Sequence, residues 1–380
     1  MKNKPKPYTQ DFGRDNAFWQ NEPHMTDQLS HQKYNDEKSW KFPWLRLSLG
    51  IAGTIFCCLV AASIGSVGIS PYSTLLIALS RVPFIDISQT WPESWDTILW
   101  KLRFPRVVLA LIVGAALSVS GATFQGLFRN PLADPYLIGV ASGASLGATI
   151  VFLTGIPFSY GNISVLPIAS FVGGLIAVSV AYGIAVRSSN THLTTLILAG
   201  VAIGSFATAI SSLLMIKSDP DLRVVLSWIL GGFIKAQWSH SLFLIPYLIP
   251  GLVVTFAYSR ILNTMQLDEE YASSIGVNIE RTKKILILVA TMMTAAVVSF
   301  SGLIGFVGLV APHVARLIWD SDFRTLIPMA AIVGGCFLVI ADLVARTILS
   351  PGEIPVGIVT ALCGAPFFIY LLLRNRQDTT

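Results

Sequence analysis

Apolar stretches of roughly 20 residues, separated by short polar connections, recur from residue 44 to residue 373. An α-helix rising 1.5 Å per residue needs about that length to cross a ~30 Å hydrocarbon layer. Ten such stretches fit: 44–66, 106–128, 136–153, 166–186, 194–216, 239–258, 284–302, a shorter 306–319, 326–346 and 355–373. Hydrocarbon offers no hydrogen bonds to a bare backbone, so each stretch is predicted to be helical where lipid touches it. The pattern therefore predicts an all-α polytopic membrane protein with ten transmembrane helices over residues 43–376. Residues 1–42 are polar and of mixed sign, and predict a disordered cytoplasmic tail. The first apolar run opens near Phe42, much later than the core of a cleavable signal peptide would.

Composition agrees with the pattern. Hydrophobic residues make up 53% of the chain and charged residues only 12%, about half the share of a soluble domain. Ten spans place both termini on one side. If that side is the cytoplasm, the inner flanks carry 14 Lys and Arg residues against 8 on the outer flanks, as the positive-inside rule requires. No basic stripe interleaves with aromatics, so a nucleic-acid partner is not expected. Cys57, Cys58, Cys336 and Cys363 lie inside apolar runs without metal-ligand spacing, and His24 and His31 form no metal pattern either; no metal site is predicted. The chain lacks a glycine-rich phosphate loop ending in Gly-Lys-Ser/Thr, so it is not expected to bind ATP itself. His313, beside Pro312 and three residues before Arg316, reads as structural.

Small residues recur every fourth position in two stretches, Gly139, Gly143 and Gly147, then Gly200, Gly204, Thr208 and Ser212. Such faces let helices pack closely in lipid, and a face lining a pathway is the alternative. A faint internal repeat adds to this. Ser118 to Gly121 reads Ser-Val-Ser-Gly with Pro131 ten residues on, and Ser299 to Gly302 reads Ser-Phe-Ser-Gly with Pro312 ten residues on; Val172-Gly-Gly174 is echoed by Val333-Gly-Gly335. The copies begin five crossings apart, so the repeat relates helices 2–5 to helices 7–10 in opposite orientation, a frequent transporter architecture. Asp342 and Arg346 stand four residues apart in the ninth span, where an ion pair offsets part of the penalty for charge in lipid. The remaining spans offer no titratable relay, which argues against a carrier driven by an ion gradient, the leading alternative. The 260–284 connection contains Asp268, Glu269 and Glu270 opening a short helix, Ala272 and Ser273 within it, and Gly276 placed to end it. A compact helix pair there could dock a soluble partner or be an ordinary connector.

Several segments carry a specific resemblance. Leu102-Arg-Phe-Pro-Arg106, Gly121-Ala-Thr-Phe-Gln-Gly126, Asn130-Pro-Leu-Ala-Asp-Pro135, Trp228-Ile-Leu-Gly-Gly-Phe233, Gly305 to His313, Ala341 to Arg346 and Glu353-Ile-Pro-Val-Gly357 occur in this order. From about residue 45 to 375 the chain resembles the permeases of iron–siderophore, haem and cobalamin ABC importers. The resemblance implies a non-catalytic, multi-pass subunit of the bacterial cytoplasmic membrane that forms a homodimer around a central pathway. It implies two cytoplasmic ATPase subunits, which hold the ATP and Mg²⁺, and an extracytoplasmic binding protein that delivers the chelate for translocation by alternating access. Residue by residue, it assigns Arg103, Arg106 and Arg346 to docking of the binding protein, and Asn130, Leu132, Leu193 and Thr194 to a cytoplasmic gate. It assigns Asp268, Glu269, Glu270, Ala272, Ser273 and Gly276 to coupling with the ATPase.

Overall fold

The computed structural model describes residues 43–84, 87–154, 159–160, 163–187, 193–217 and 222–377; the tail expected over 1–42 lies outside them. Seven helices in the described residues are long and apolar enough to cross a membrane. They include α1 (Trp44–Ser63), α4 (Phe104–Phe128), α6 (Val165–Arg187) and α7 (Leu193–Lys217). The others are α9 (Trp238–Ala257), α12 (Ile279–Ser301) and α14 (Phe323–Thr347). Two shorter apolar helices, α5 (Val140–Leu153) and α13 (Val307–Ile318), and the last helix, α15 (Val356–Gln377), complete the ten. Four connecting helices were not foreseen as elements of their own: α2 (Pro71–Leu79), α3 (Glu93–Ile98), α8 (Leu222–Ile229) and α10 (Ser259–Leu267); a fifth, α11 (Glu269–Ser274), is the short helix expected after Asp268. A two-residue hairpin pairs Ser159–Tyr160 with Ile163–Ser164.

The centre of the bundle is α4, buried along nearly its whole length and packed against α14, α12 and α13. It begins further back than its apolar run suggests, because α3 runs through a π-helical turn, Leu99–Arg103, into it. Around α4 the packing is backbone against backbone. A side chain on Gly114 would collide with the carbonyl of Gly334 in α14, and one on Gly121 with that of Gly308 in α13. Only glycine permits so close an approach, which supplies the dispersion contact that apolar burial cannot supply in lipid.

The two halves run in opposite senses. Gln266, next to α11, donates to the carbonyl of Gly126 at 2.7 Å, so the last turn of α4 lies beside the residues that lead into the first turn of α12. The first turn of α4 instead meets the last turn of α14, through Arg106 and Asp342. The inverted relation is thus written in helix order and direction. The short motif match is not its register: Ser118–Gly121 sits in the middle of α4, whereas Ser299–Gly302 closes α12, and Pro131 lies in a turn while Pro312 is inside α13.

Helices α5 and α13 are short because each follows a break in the chain. Before α5, Arg129 and Gly139 take left-handed backbone around a 3₁₀ turn, Pro135–Ile138. Before α13, Gly302 and Phe306 have φ of +69°. The breaks meet: the Tyr136 hydroxyl donates to the carbonyl of Ile304 at 3.1 Å and lies 3.3 Å from the Ile304 N–H. Gly232 N–H covers the carbonyl of Ser301 at 2.8 Å, and the Gln125 amide covers that of Gly308 at 3.1 Å.

This packing predicts that Gly121→Val, which must push α13 away, lowers the melting temperature of the detergent-solubilised protein by several degrees, overpacking costing roughly 1–3 kcal/mol. Gly53→Ala on α1 has open space around it and should leave the midpoint unchanged.

Candidate functional site

At one end of the bundle a cluster of charges joins α1, α4, α14 and the start of α15. Arg106 donates to both oxygens of Asp342 at 2.8–3.0 Å and to Glu353 at 2.9–3.0 Å. Asp342 is almost fully buried. The expected i,i+4 pair with Arg346 is present at 3.7 Å, but Arg106, 236 positions away in sequence, is its closer partner. Arg346 spends its remaining donors on the carbonyls of Ile64, at 2.9 Å, and Ala61.

Arg103 is buried, with 7% of its surface accessible. Its guanidinium donates to the carbonyls of Ala62 and Ser63 at 2.9 Å and of Val67 at 2.5 Å, covering the C-terminal end of α1. Its donors are turned inward, where they cap a helix that offers only carbonyls. Arg106 and Arg346 are likewise matched within the chain. Among the described residues, the exposed cations of this end are Arg81, Lys101, Arg223 and Lys235, of which Arg81 is paired with Asp96 at 2.8 Å.

The opposite end carries the 260–284 connection, and it is a built structure. Asp268 caps α11 by accepting from Glu270 N–H, and Gly276, at φ +91°, ends the turn that follows. Asn278 then caps α12 through Arg281 N–H. Ala272 is fully buried and seats the short helix on the body. Glu269 is an internal tie: it meets Lys283 of α12 at 2.8 Å and Arg129, just past α4, at 3.7 Å. Next to it, Asn263 on α10 donates to Asp322 at 2.6 Å and accepts from Phe323 N–H, clasping the start of α14. Asp322 is partly buried, which alone would raise its pKa. Its bonds from Arg324 and Asn263 outweigh this and hold the carboxyl below the usual carboxylate range.

Outward, the connection presents Leu267, Tyr271 and Ile275, all more than half exposed and four residues apart. Sequence reasoning weighed the acids of this helix and passed over these three, although their i, i+4, i+8 spacing on a polar loop was visible.

Between the two ends runs an open groove of about 570 Å³ along α7 and the 3₁₀ turn, lined by Tyr136, Leu137, Ser142, Gly204, Thr208 and Ser212 among others. The two small-residue stripes thus separate. Gly143 and Gly147 press against Gly173 and Ala169 of α6 and serve packing. On α7, Gly200 packs on Leu137 and Ile138, while Ser205, Thr208 and Ser212 stay exposed along the groove. Asn130 and Leu132 precede the 3₁₀ turn, and both are exposed; the Asn130 side chain accepts from Leu132 N–H at 2.9 Å and fixes the bend. Leu193 and Thr194 open α7 two turns before Gly200. Both segments therefore lead into elements that line the same groove.

Ten apolar helices, eight of them in two inverted sets, a small-residue groove and a structured loop tied to the core helices define a membrane transport permease. The chain belongs to the FecCD transport family, whose model matches residues 53–374. It is 45% identical over 286 residues to the cobalamin import system permease protein BtuC of Halobacterium salinarum, covering 75% of this chain and 76% of that one. It is 39% identical over 296 residues to the hemin transport system permease protein HmuU of Yersinia pestis, covering 76% and 88%. Among solved structures, an inward-facing metal-chelate type ABC transporter superposes with a TM-score of 0.76 at 29% identity, covering 88% of this chain and all of that one.

The charge cluster generates a prediction. Asp342→Asn leaves two arginines facing a buried neutral group and should cost about 3–5 kcal/mol, read as a lower unfolding midpoint. Glu353→Gln, at a more exposed site, should cost clearly less in the same measurement.

Proposed function

We propose that this chain is the membrane-spanning subunit of an ATP-driven importer that carries a metal chelate, such as cobalamin, haem or a ferric siderophore, across the bacterial cytoplasmic membrane. The observation that carries the reading is the groove along α7, where Ser205, Thr208 and Ser212 are left open on a helix otherwise clad in apolar side chains. A stripe of hydroxyls exposed along an apolar helix suits a path walled on its far side by a second copy of the chain. The relatives named for cobalamin and hemin import, and the metal-chelate type neighbour, support the substrate class.

In this reading the 260–284 connection faces the cytoplasm, with both termini on that side. Leu267, Tyr271 and Ile275 enter a cleft on an ATPase subunit, flanked by Asp268, Glu270 and Ser273. Glu269, Gly276 and the buried Ala272 keep the handle rigid, so its displacement passes through Lys283 to α12 and through Arg129 to α4. ATP and Mg²⁺ reside on that partner. Asn130, Leu132, Leu193 and Thr194 form the inner gate. The binding protein docks at the other end, where Arg103, Arg106 and Arg346 hold α1, α4 and α14 in register and the exposed Lys101 meets its acids; such rim charges set encounter rate more than affinity. Nucleotide states that bind the two permease conformations with different free energies drive alternating access.

Two measurements test this. Tyr271→Ala combined with Ile275→Ala should reduce co-purification of the ATPase roughly ten-fold or more, as expected for apolar anchors at an interface, without lowering the unfolding midpoint. Substrate uptake into proteoliposomes of the complete transporter should require internal ATP; uptake driven by an imposed proton gradient without ATP would overturn the proposal in favour of a secondary carrier.

A further inference from the structure

A second space lies away from the groove and shares none of its lining residues. It is a chamber of about 490 Å³ at the Arg106 end, behind α8, within the range of about 300–1,000 Å³ typical of small-molecule sites. Its walls are chiefly apolar, among them Leu109, Phe152, Trp228 and Phe300. Three cations line it; Arg223 and Lys235 are exposed, and neither forms an ion pair among the described residues. The third, Arg106, already faces two carboxylates and adds no unmatched charge. His240 leans on Phe300, its ring centroid 4.9 Å away.

The depth of the chamber is marked by its boundaries. It lies where α12 ends at Ser301 and α15 begins at Val356, and beside it Trp100 and Trp238 pack together, the Trp238 indole donating to the Trp100 carbonyl at 2.8 Å. Tryptophan marks the boundary between hydrocarbon and water.

We infer that this chamber is a binding site for an anionic phospholipid, with an acyl chain among Phe152, Trp228 and Phe300 and the phosphate between Arg223 and Lys235. A free phosphate would leave the apolar walls unused, and a neutral hydrocarbon would leave both cations unmatched. A lipid at the edge of the bilayer supplies both parts at once. Its position behind α8 makes it a wedge between that helix and the core. The inference concerns a surface outside the groove, so it stands whether or not the chelate reading does.

Native mass spectrometry of the full chain, released from nanodiscs, tests it. With equal phosphatidylglycerol and phosphatidylcholine present, retention of phosphatidylglycerol is expected. Each basic residue near an anionic lipid strengthens binding roughly five-fold, so Arg223→Gln with Lys235→Gln should reduce retention roughly twenty-five-fold. Ser227→Trp, which fills the chamber without changing charge, should reduce it as well; size-exclusion profiles identify any variant that misfolds. Equal retention of both lipids, or undiminished retention in the folded double variant, would overturn the inference. So would displacement of the lipid by millimolar inorganic phosphate, which would indicate a free-anion site.

Discussion

A backbone carbonyl or N–H exposed to hydrocarbon has no partner, and the rest of this architecture follows from that constraint. A transport path cannot be built from unbroken rods alone, yet every interruption leaves polar groups that must be matched inside the protein. Here two interruptions, before α5 and before α13, are brought together so that each serves the other through Tyr136 and Ile304. Ser301 is covered by Gly232, Gly308 by Gln125, and Gln125 in turn accepts from Arg316 at 2.5 Å. The close glycine contacts of α4 with α13 and α14 hold these partners within reach.

The same economy governs charge. Arg103 and Arg346 satisfy carbonyls at the end of α1, and Asp342 makes the second arginine tolerable at depth. Charges at the opposite end fasten the α11 connection to α4 and α12 instead. One end of the bundle is knotted by ionic contacts, the other holds a handle by them, and the groove between is lined by hydroxyls without formal charge.

Much of this was legible in the sequence. Hydropathy located ten helices because a bilayer-spanning helix needs little tertiary information to be recognised. Their ends were less visible: α12 starts at Ile279 rather than near 284, since Lys283 is buried against Glu269 and the helix runs through it. Helix α8 was missed because its apolar residues are too few for a span and lie on a connection. The inward aim of Arg103 could not have been read from Leu-Arg-Phe-Pro-Arg, because it depends on carbonyls some 40 positions earlier. The three arginines, Arg103, Arg106 and Arg346, stand out in their segments of the sequence, but which carbonyl or carboxylate each one meets is a property of the fold. The stripes at 139–147 and 200–212 look alike in sequence. Only the neighbour of each decides whether it is packing or path.

The bond between Tyr136 and Ile304 links the first set of helices to the second. A polypeptide containing one set alone would carry a kink with its polar groups bare, in a solvent that offers them nothing. Carrying both sets on one chain supplies each opening in the backbone with a donor or acceptor that never has to be recruited from outside.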